Sequence, residues 1–159
     1  MAIATASGST ALWFAMRATG VTALVLLTLT VVLGVAGVRR LSSLRIPRFV
    51  LDGLHRNAAL LAVSFLAVHI VTAVIDSYVT IRIVDVFVPF TGTYRPLWLG
   101  LGAVSLDLLA AVMVTSLLRK RLGYRTWRAT HWLAYAAWPT ALVHSLGTGS
   151  DAGTGWMTA

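Results

Sequence analysis

Four histidines, His55, His69, His131 and His144, are the residues on which metal or redox chemistry could be built, because the sequence contains no cysteine. The absence of thiols excludes disulfides, cysteine-ligated iron–sulfur clusters, zinc–cysteine sites and a cysteine nucleophile. The histidines form two pairs along the chain, 14 and 13 residues apart. On a helix those intervals rise roughly 21 and 20 Å, enough to hold two stacked haem planes. Neutral imidazole is a good axial ligand for haem iron, and two imidazoles close both axial positions, which makes an electron carrier and not an oxygen-activating centre. A single membrane histidine is more simply explained by hydrogen bonding across a helix bundle. Four of them at matched depths favour two bis-histidine haems, His55 with His131 and His69 with His144. A transition-metal or proton path through the same residues is the alternative.

The depths are matched only if the histidines sit on helices that cross a membrane. Composition requires that solvent: 58% of the 159 residues are hydrophobic and 11% charged, beyond the range of an ordinary water-soluble domain. Apolar stretches occupy about 12–38, 53–76, 97–118 and 129–147, each long enough to cross ~30 Å of hydrocarbon. The expectation is an all-α four-helix membrane bundle forming one domain over 1–159, with both haems between the second and fourth helices. Those two helices run in the same direction in a serpentine, so their first histidines share one depth and their second histidines another. The angular test is uneven. Fourteen residues return a side chain to within roughly 40° of its starting face, whereas 13 leave it roughly 140° away. Pro139, between His131 and His144, is the expected adjustment, since a proline removes a helical hydrogen bond and kinks or retwists the axis.

Charge sets the orientation. Arg39, Arg40, Arg45, Arg48 and Arg56 cluster between the first two spans, and Arg119, Lys120, Arg121, Arg125 and Arg128 between the last two, which is ten of the thirteen basic residues. The two loops therefore face the cytoplasm, and both termini the outside, in a plasma membrane. The formal charge of +8 thus reports topology and not nucleic acid. The N-terminus lacks the basic region of a signal peptide and is kept as a span. Residues 78–90, Tyr78 to Phe90, are too short to cross and are interrupted by Arg82 and Asp85. They read as a lid in the outer interface, within an outer loop of 78–96, followed by a turn at Thr91-Gly92-Thr93 between Pro89 and Pro96. Gly147-Thr148-Gly149-Ser150 lacks the βαβ context of a dinucleotide site. No internal repeat is strong enough to use.

Four further charged residues bear on the site. Asp107, near the middle of the third span, is either a proton or charge-balance group beside a quinone or haem, or a protonated acid bonded to a hydroxyl. Arg17 is placed to pair with outer haem propionates or to snorkel to headgroups. Arg56 and Arg128 flank the inner histidines and could serve inner propionates, although both also fit the cytoplasmic charge pattern. The tryptophans lie mostly near span ends as interfacial anchors.

The run Val114-Thr115-Ser116-Leu117-Leu118-Arg119-Lys120-Arg121-Leu122-Gly123, followed by Trp127-Arg128-Ala129-Thr130-His131-Trp132-Leu133-Ala134-Tyr135, resembles the ferric-reductase-like transmembrane family. That family includes ferric reductases, NADPH oxidases and the haem-binding membrane subunit of the bacterial periplasmic methionine sulfoxide reductase system. The resemblance covers roughly residues 54–147 and implies all four histidine ligands. Family members commonly have six spans, and the oxidases and ferric reductases append a cytosolic flavin and nicotinamide domain, which this sequence lacks. The resemblance therefore implies a separate flavoprotein or membrane quinol as electron donor.

The sequence reads as a dihaem b-type membrane cytochrome passing electrons from a cytoplasmic or quinol donor to an extracytoplasmic acceptor, protein or small molecule. A quinol-linked cytochrome b subunit of a larger complex, and a proton or metal transporter using the histidines and Asp107, are the rivals. All depth arguments rest on orientation, which cysteine labelling tests. A thiol at Gly149 is expected to react with an impermeant reagent added outside intact cells and one at Ser43 not to; the reverse pattern inverts the topology.

Overall fold

The computed structural model describes residues 2–39, 47–76 and 79–149. Arg40, Ser43, Arg45, Tyr78 and Ser150, used in the reading above, lie outside them. Among the described residues there are seven helices and no strand: α1 (Ala2–Arg39), α2 (Arg48–Ile75), α3 (Ile83–Phe87), α4 (Pro96–Leu117), α5 (Arg119–Leu122), α6 (Tyr124–His131) and α7 (Ala134–Thr148). They form two compact units that divide after Val79. In the first, α1 packs on α2; in the second, α4 packs on α3, α5, α6 and α7.

The packing is that of a membrane protein. Every buried apolar residue described is an alanine, namely Ala23, Ala36, Ala58, Ala62, Ala103 and Ala137, while large side chains such as Phe14, Val21, Leu60 and Leu117 are exposed. Lipid is as apolar as leucine, so helices in a bilayer gain little by hiding leucine and associate instead through small residues that let backbones approach. Three helices, Thr10–Val38, Arg48–Ile75 and Pro96–Leu117, are long and apolar enough to cross. They correspond to the first three expected spans.

The fourth expected span, 129–147, is a composite. It begins with α6, passes through a tight turn at Trp132 and Leu133, and continues as α7. At 15 residues, α7 alone rises about 22 Å, short of a ~30 Å hydrocarbon layer. The break has a local cause. The backbone bonds there close over three residues, and Pro139 farther on in α7 has no N–H to donate to the carbonyl of Tyr135. Upstream, Gly123 separates α5 from α6 at φ 77°, a left-handed value that only glycine adopts without strain.

The loop before α4 is built around one buried carboxylate. Asp85, 4% exposed, accepts from Arg82 Nε at 3.0 Å and Nη2 at 2.7 Å, from the Arg82 backbone N–H at 3.1 Å and from Thr91 Oγ1 at 3.0 Å. Arg82 also donates to the Thr91 carbonyl. The expected lid thus contains a short helix, α3, whose start Asp85 caps. Phe90, held at φ 67°, lays its ring against Gly100 of α4.

The Arg82 hydrogen bonds hold the Asp85 carboxyl down at about 2. A depressed carboxylate contributes its stability in full above the unfolded value of about 3.9 and loses it as pH falls through the folded one. Protection of this loop against proteolysis should therefore be level from neutrality to about pH 5 and fall between about pH 4 and 2. Asp85→Asn should weaken it at neutral pH and flatten the dependence.

Candidate functional site

Three of the four histidines, His55, His69 and His144, lie where two helices touch. In the first unit, the His69 ring faces Gly20 and its Nδ1 lies 2.8 Å from the Met16 carbonyl oxygen; the His55 ring faces Gly34 and its Nδ1 lies 2.9 Å from the Thr30 carbonyl. In the second unit, the His144 ring faces Gly102 and its Nδ1 lies 2.8 Å from the Trp98 carbonyl. A carbonyl oxygen only accepts, so in all three Nδ1 carries the proton and donates it. The lone pair is then on Nε2, the tautomer suited to an axial ligand.

The three arrangements share one geometry. The accepting carbonyl belongs in every case to the residue four before the glycine, one helical turn away. A β-carbon at Gly20 would lie 2.8 Å from His69 Nδ1, and one at Gly102 would lie 2.7 Å from His144 Nδ1 and Cε1, distances that real β-carbons do not tolerate. At Gly34 the nearest ring atom would be 3.4 Å away, a close but ordinary contact. Gly20 and Gly34 are 14 residues apart, as are His55 and His69, so one antiparallel register seats both rings. That shared interval was the available signal for the glycines, and reading the histidines alone missed it.

His131 is held differently. Its ring stacks on Trp127, centroids 5.1 Å apart at 29°, and the Arg119 guanidinium lies over the Trp127 ring at 4.3 Å. Trp127 Nε1 donates to Ser116 Oγ at 3.3 Å, which ties α6 to the end of α4. None of the described glycines has the His131 ring among the nearest atoms to its β-carbon position.

The turn between α6 and α7 also answers the angular problem of the 13-residue interval. Trp132, Leu133, Tyr135 and Ala136 donate to the carbonyls of Ala129, Thr130, Trp132 and Leu133, bonds of the tighter three-residue type. Each residue in that geometry turns about 120° instead of about 100° and rises about 2.0 Å instead of about 1.5 Å. Four such steps reduce the mismatch from roughly 140° to roughly 60° and lengthen the rise from roughly 20 to roughly 22 Å. The adjustment thus sits one turn before Pro139, and the two histidine intervals become nearly equal.

Around His144 the two helices are clamped. Trp98 of α4 lays its indole against Gly147 of α7, and buried Ser105 donates to the Ala137 carbonyl at 2.9 Å, where Ala137 has no exposed surface. Arg95, at φ 39° just before Pro96, donates to the Gly147 carbonyl at 2.9 Å and so caps the last turn of α7. Arg95, Trp98, Val143, Leu146 and Gly147 line an open cavity of about 500 Å³.

The other charged candidates are less engaged. Arg17 lies over the Trp13 ring at 4.7 Å, and Arg128 lies over Tyr124 at 6.0 Å while donating to its hydroxyl at 3.4 Å. Arg56 and Asp107 are exposed on α2 and α4.

Residues 19–142, well over half of the chain, match the family of ferric reductase like transmembrane components. The chain belongs to that family. The match includes His55, His69 and His131 and stops just before His144, while Arg17 precedes it. No curated protein and no solved structure gives a match. With its apolar helices, membership makes the chain a membrane electron-transfer component of the ferric-reductase-like kind. Such domains bind haem, and the donor set here fits one. Among the described residues no three His, Asp or Glu side chains gather to hold a bare metal ion. Haem brings four equatorial nitrogens and asks the protein only for single, well-separated imidazoles.

The clamp predicts an order of effects. Ser105→Ala should cost about 0.6 kcal/mol, the usual worth of an interhelical hydrogen bond in a membrane. Gly147→Ala, which drives a methyl into the Trp98 ring, should cost about 1–3 kcal/mol. Reversible unfolding in detergent measures both, and a larger loss for Ser105→Ala would contradict the assignment.

Proposed function

We propose that the chain is a dihaem b-type cytochrome that carries electrons across the plasma membrane, with His55 and His131 ligating an inner haem and His69 and His144 an outer one. The observation that carries this reading is the approach of Nδ1 of His55, His69 and His144 to a backbone carbonyl at 2.8–2.9 Å, which turns Nε2 to the role of ligand atom, in a chain of the ferric-reductase-like family. When bound, haem would supply a one-electron iron couple, and His55, His69, His131 and His144 are the residues that would hold it. The protein residues orient the imidazoles, keep water from them and set their basicity through the Nδ1–H bonds. Arg17 on the outer side, and Arg56 and Arg128 on the inner side, are proposed partners for propionates, a role their forked N–H donors suit.

The composite of α6 and α7 is proposed as the fourth crossing, giving both termini outside. Its support is the length of the combined segment and the basic loop before it. The donor is a quinol or a separate flavoprotein docking on the cytoplasmic Arg and Lys clusters, whose positive field favours an acidic surface. The acceptor is a protein or small molecule meeting the outer face near residues 78–96.

Purified protein should show a Soret band and about two haems per chain by pyridine haemochrome assay. His55→Ala and His131→Ala should remove one and the same haem, and His69→Ala and His144→Ala the other. In vesicles, donor supplied on the cytoplasmic side should reduce an impermeant acceptor outside. Undiminished transfer in the His69→Ala, His144→Ala double variant would defeat the transmembrane path, and an unchanged haem count in all four single variants would defeat haem ligation.

A further inference from the structure

We infer that Gly20, Gly34 and Gly102 are positioning residues for the ligand histidines, and that they grade the two proposed haem sites unequally. The inference rests on the haem reading above and goes beyond it by assigning a role to residues that touch no iron.

The argument starts from distance. A histidine can give its Nδ1 proton to a backbone carbonyl of a neighbouring helix only if that backbone comes within hydrogen-bond reach of the ring, at 2.8–2.9 Å here. Helical carbonyls are fenced by side chains one turn on, because each Cα–Cβ bond tilts toward the helix N-terminus. The residue that would fence Met16, Thr30 and Trp98 is in each case the one four later, and in each case it is glycine. Glycine within a helix is destabilising relative to alanine, because it has more backbone freedom to lose. Gly37 of α1, by contrast, meets nothing within 4 Å. The costly residue type therefore coincides with the rings in three places on two different helices.

The three positions are not equivalent. At Gly20 and Gly102 an added methyl must displace the imidazole, since the contacts would be 2.8 and 2.7 Å. At Gly34 the closest approach of 3.4 Å lets the ring stay with a slight shift. Both intolerant glycines serve the histidines assigned to the outer haem. The tolerant one serves the inner haem, whose other ligand, His131, is held by the Trp127 stack.

The test uses the full-length protein purified from membranes in detergent, with haem counted by pyridine haemochrome and each ferric haem followed by its low-spin electron paramagnetic resonance signal. Gly20→Ala and Gly102→Ala should each fall from about two haems to about one, and the surviving signal should be the same in both. Gly34→Ala should keep both haems and shift the other signal, and Gly37→Ala should match the parent. The retained inner haem reports that the bundle has folded. Gly20→Ala and Gly102→Ala variants that keep two unshifted signals would overturn the inference. So would loss of both haems together, which makes the glycines general packing residues, or loss of different haems in the two variants. A parent protein without a Soret band would instead remove the underlying haem reading, and that measurement is made before any variant is compared.

Discussion

A hydrogen bond from imidazole Nδ1 to the carbonyl of a neighbouring helix links the packing of this protein to its chemistry. In hydrocarbon a polar ring cannot rely on water, so a histidine facing the bundle must find an acceptor in the protein. The acceptors at Met16, Thr30 and Trp98 already receive helical N–H bonds and use their second lone pair for the ring. Reaching them requires close helices. Close helices in turn are served by glycine beneath the ring and by alanine, the residue type of every buried apolar position described in both units.

The same requirement explains why the units resemble each other without an obvious sequence repeat. Each is a pair of long antiparallel elements in which the later one carries two histidines and the earlier one carries glycine opposite them. In the first unit the pattern is complete at both levels. In the second, Gly102 answers His144, whereas the other level has the Thr115–Ser116 end of α4 and an aromatic stack on His131. Only two or three positions per unit carry the likeness, too few to stand out among apolar residues that interchange freely in lipid.

The turn at Trp132 and Leu133 is the place where local geometry corrects the sequence interval. A 13-residue spacing in a regular helix points the two histidines apart, and inserting one residue would be the simple remedy. The chain instead tightens about one turn ahead of Pro139, adding rotation and rise without adding residues. Family membership, reported by residues 19–142, is compatible with that variation because a ligand pair depends on azimuth and depth and not on a fixed count.

The sequence by itself determined the membrane as solvent and the first three spans. Hydrophobic length and the clustering of Arg and Lys depend on transfer energies that act residue by residue, so they can be read without coordinates. It also singled out the family, through the Thr115–Ser116, basic, Trp127 and His131 run. Tertiary structure decided the rest. The tautomer of His55, His69 and His144 depends on an acceptor 25 to 53 residues away in the chain. The break within 129–147 rests on the three-residue bonds at Trp132 to Ala136, ahead of Pro139. The role of Gly20, Gly34 and Gly102 depends on what lies opposite them. A glycine in an apolar helix has no periodic signature of its own, and the reason for its presence is the ring on the neighbouring helix that fills the space a β-carbon would take.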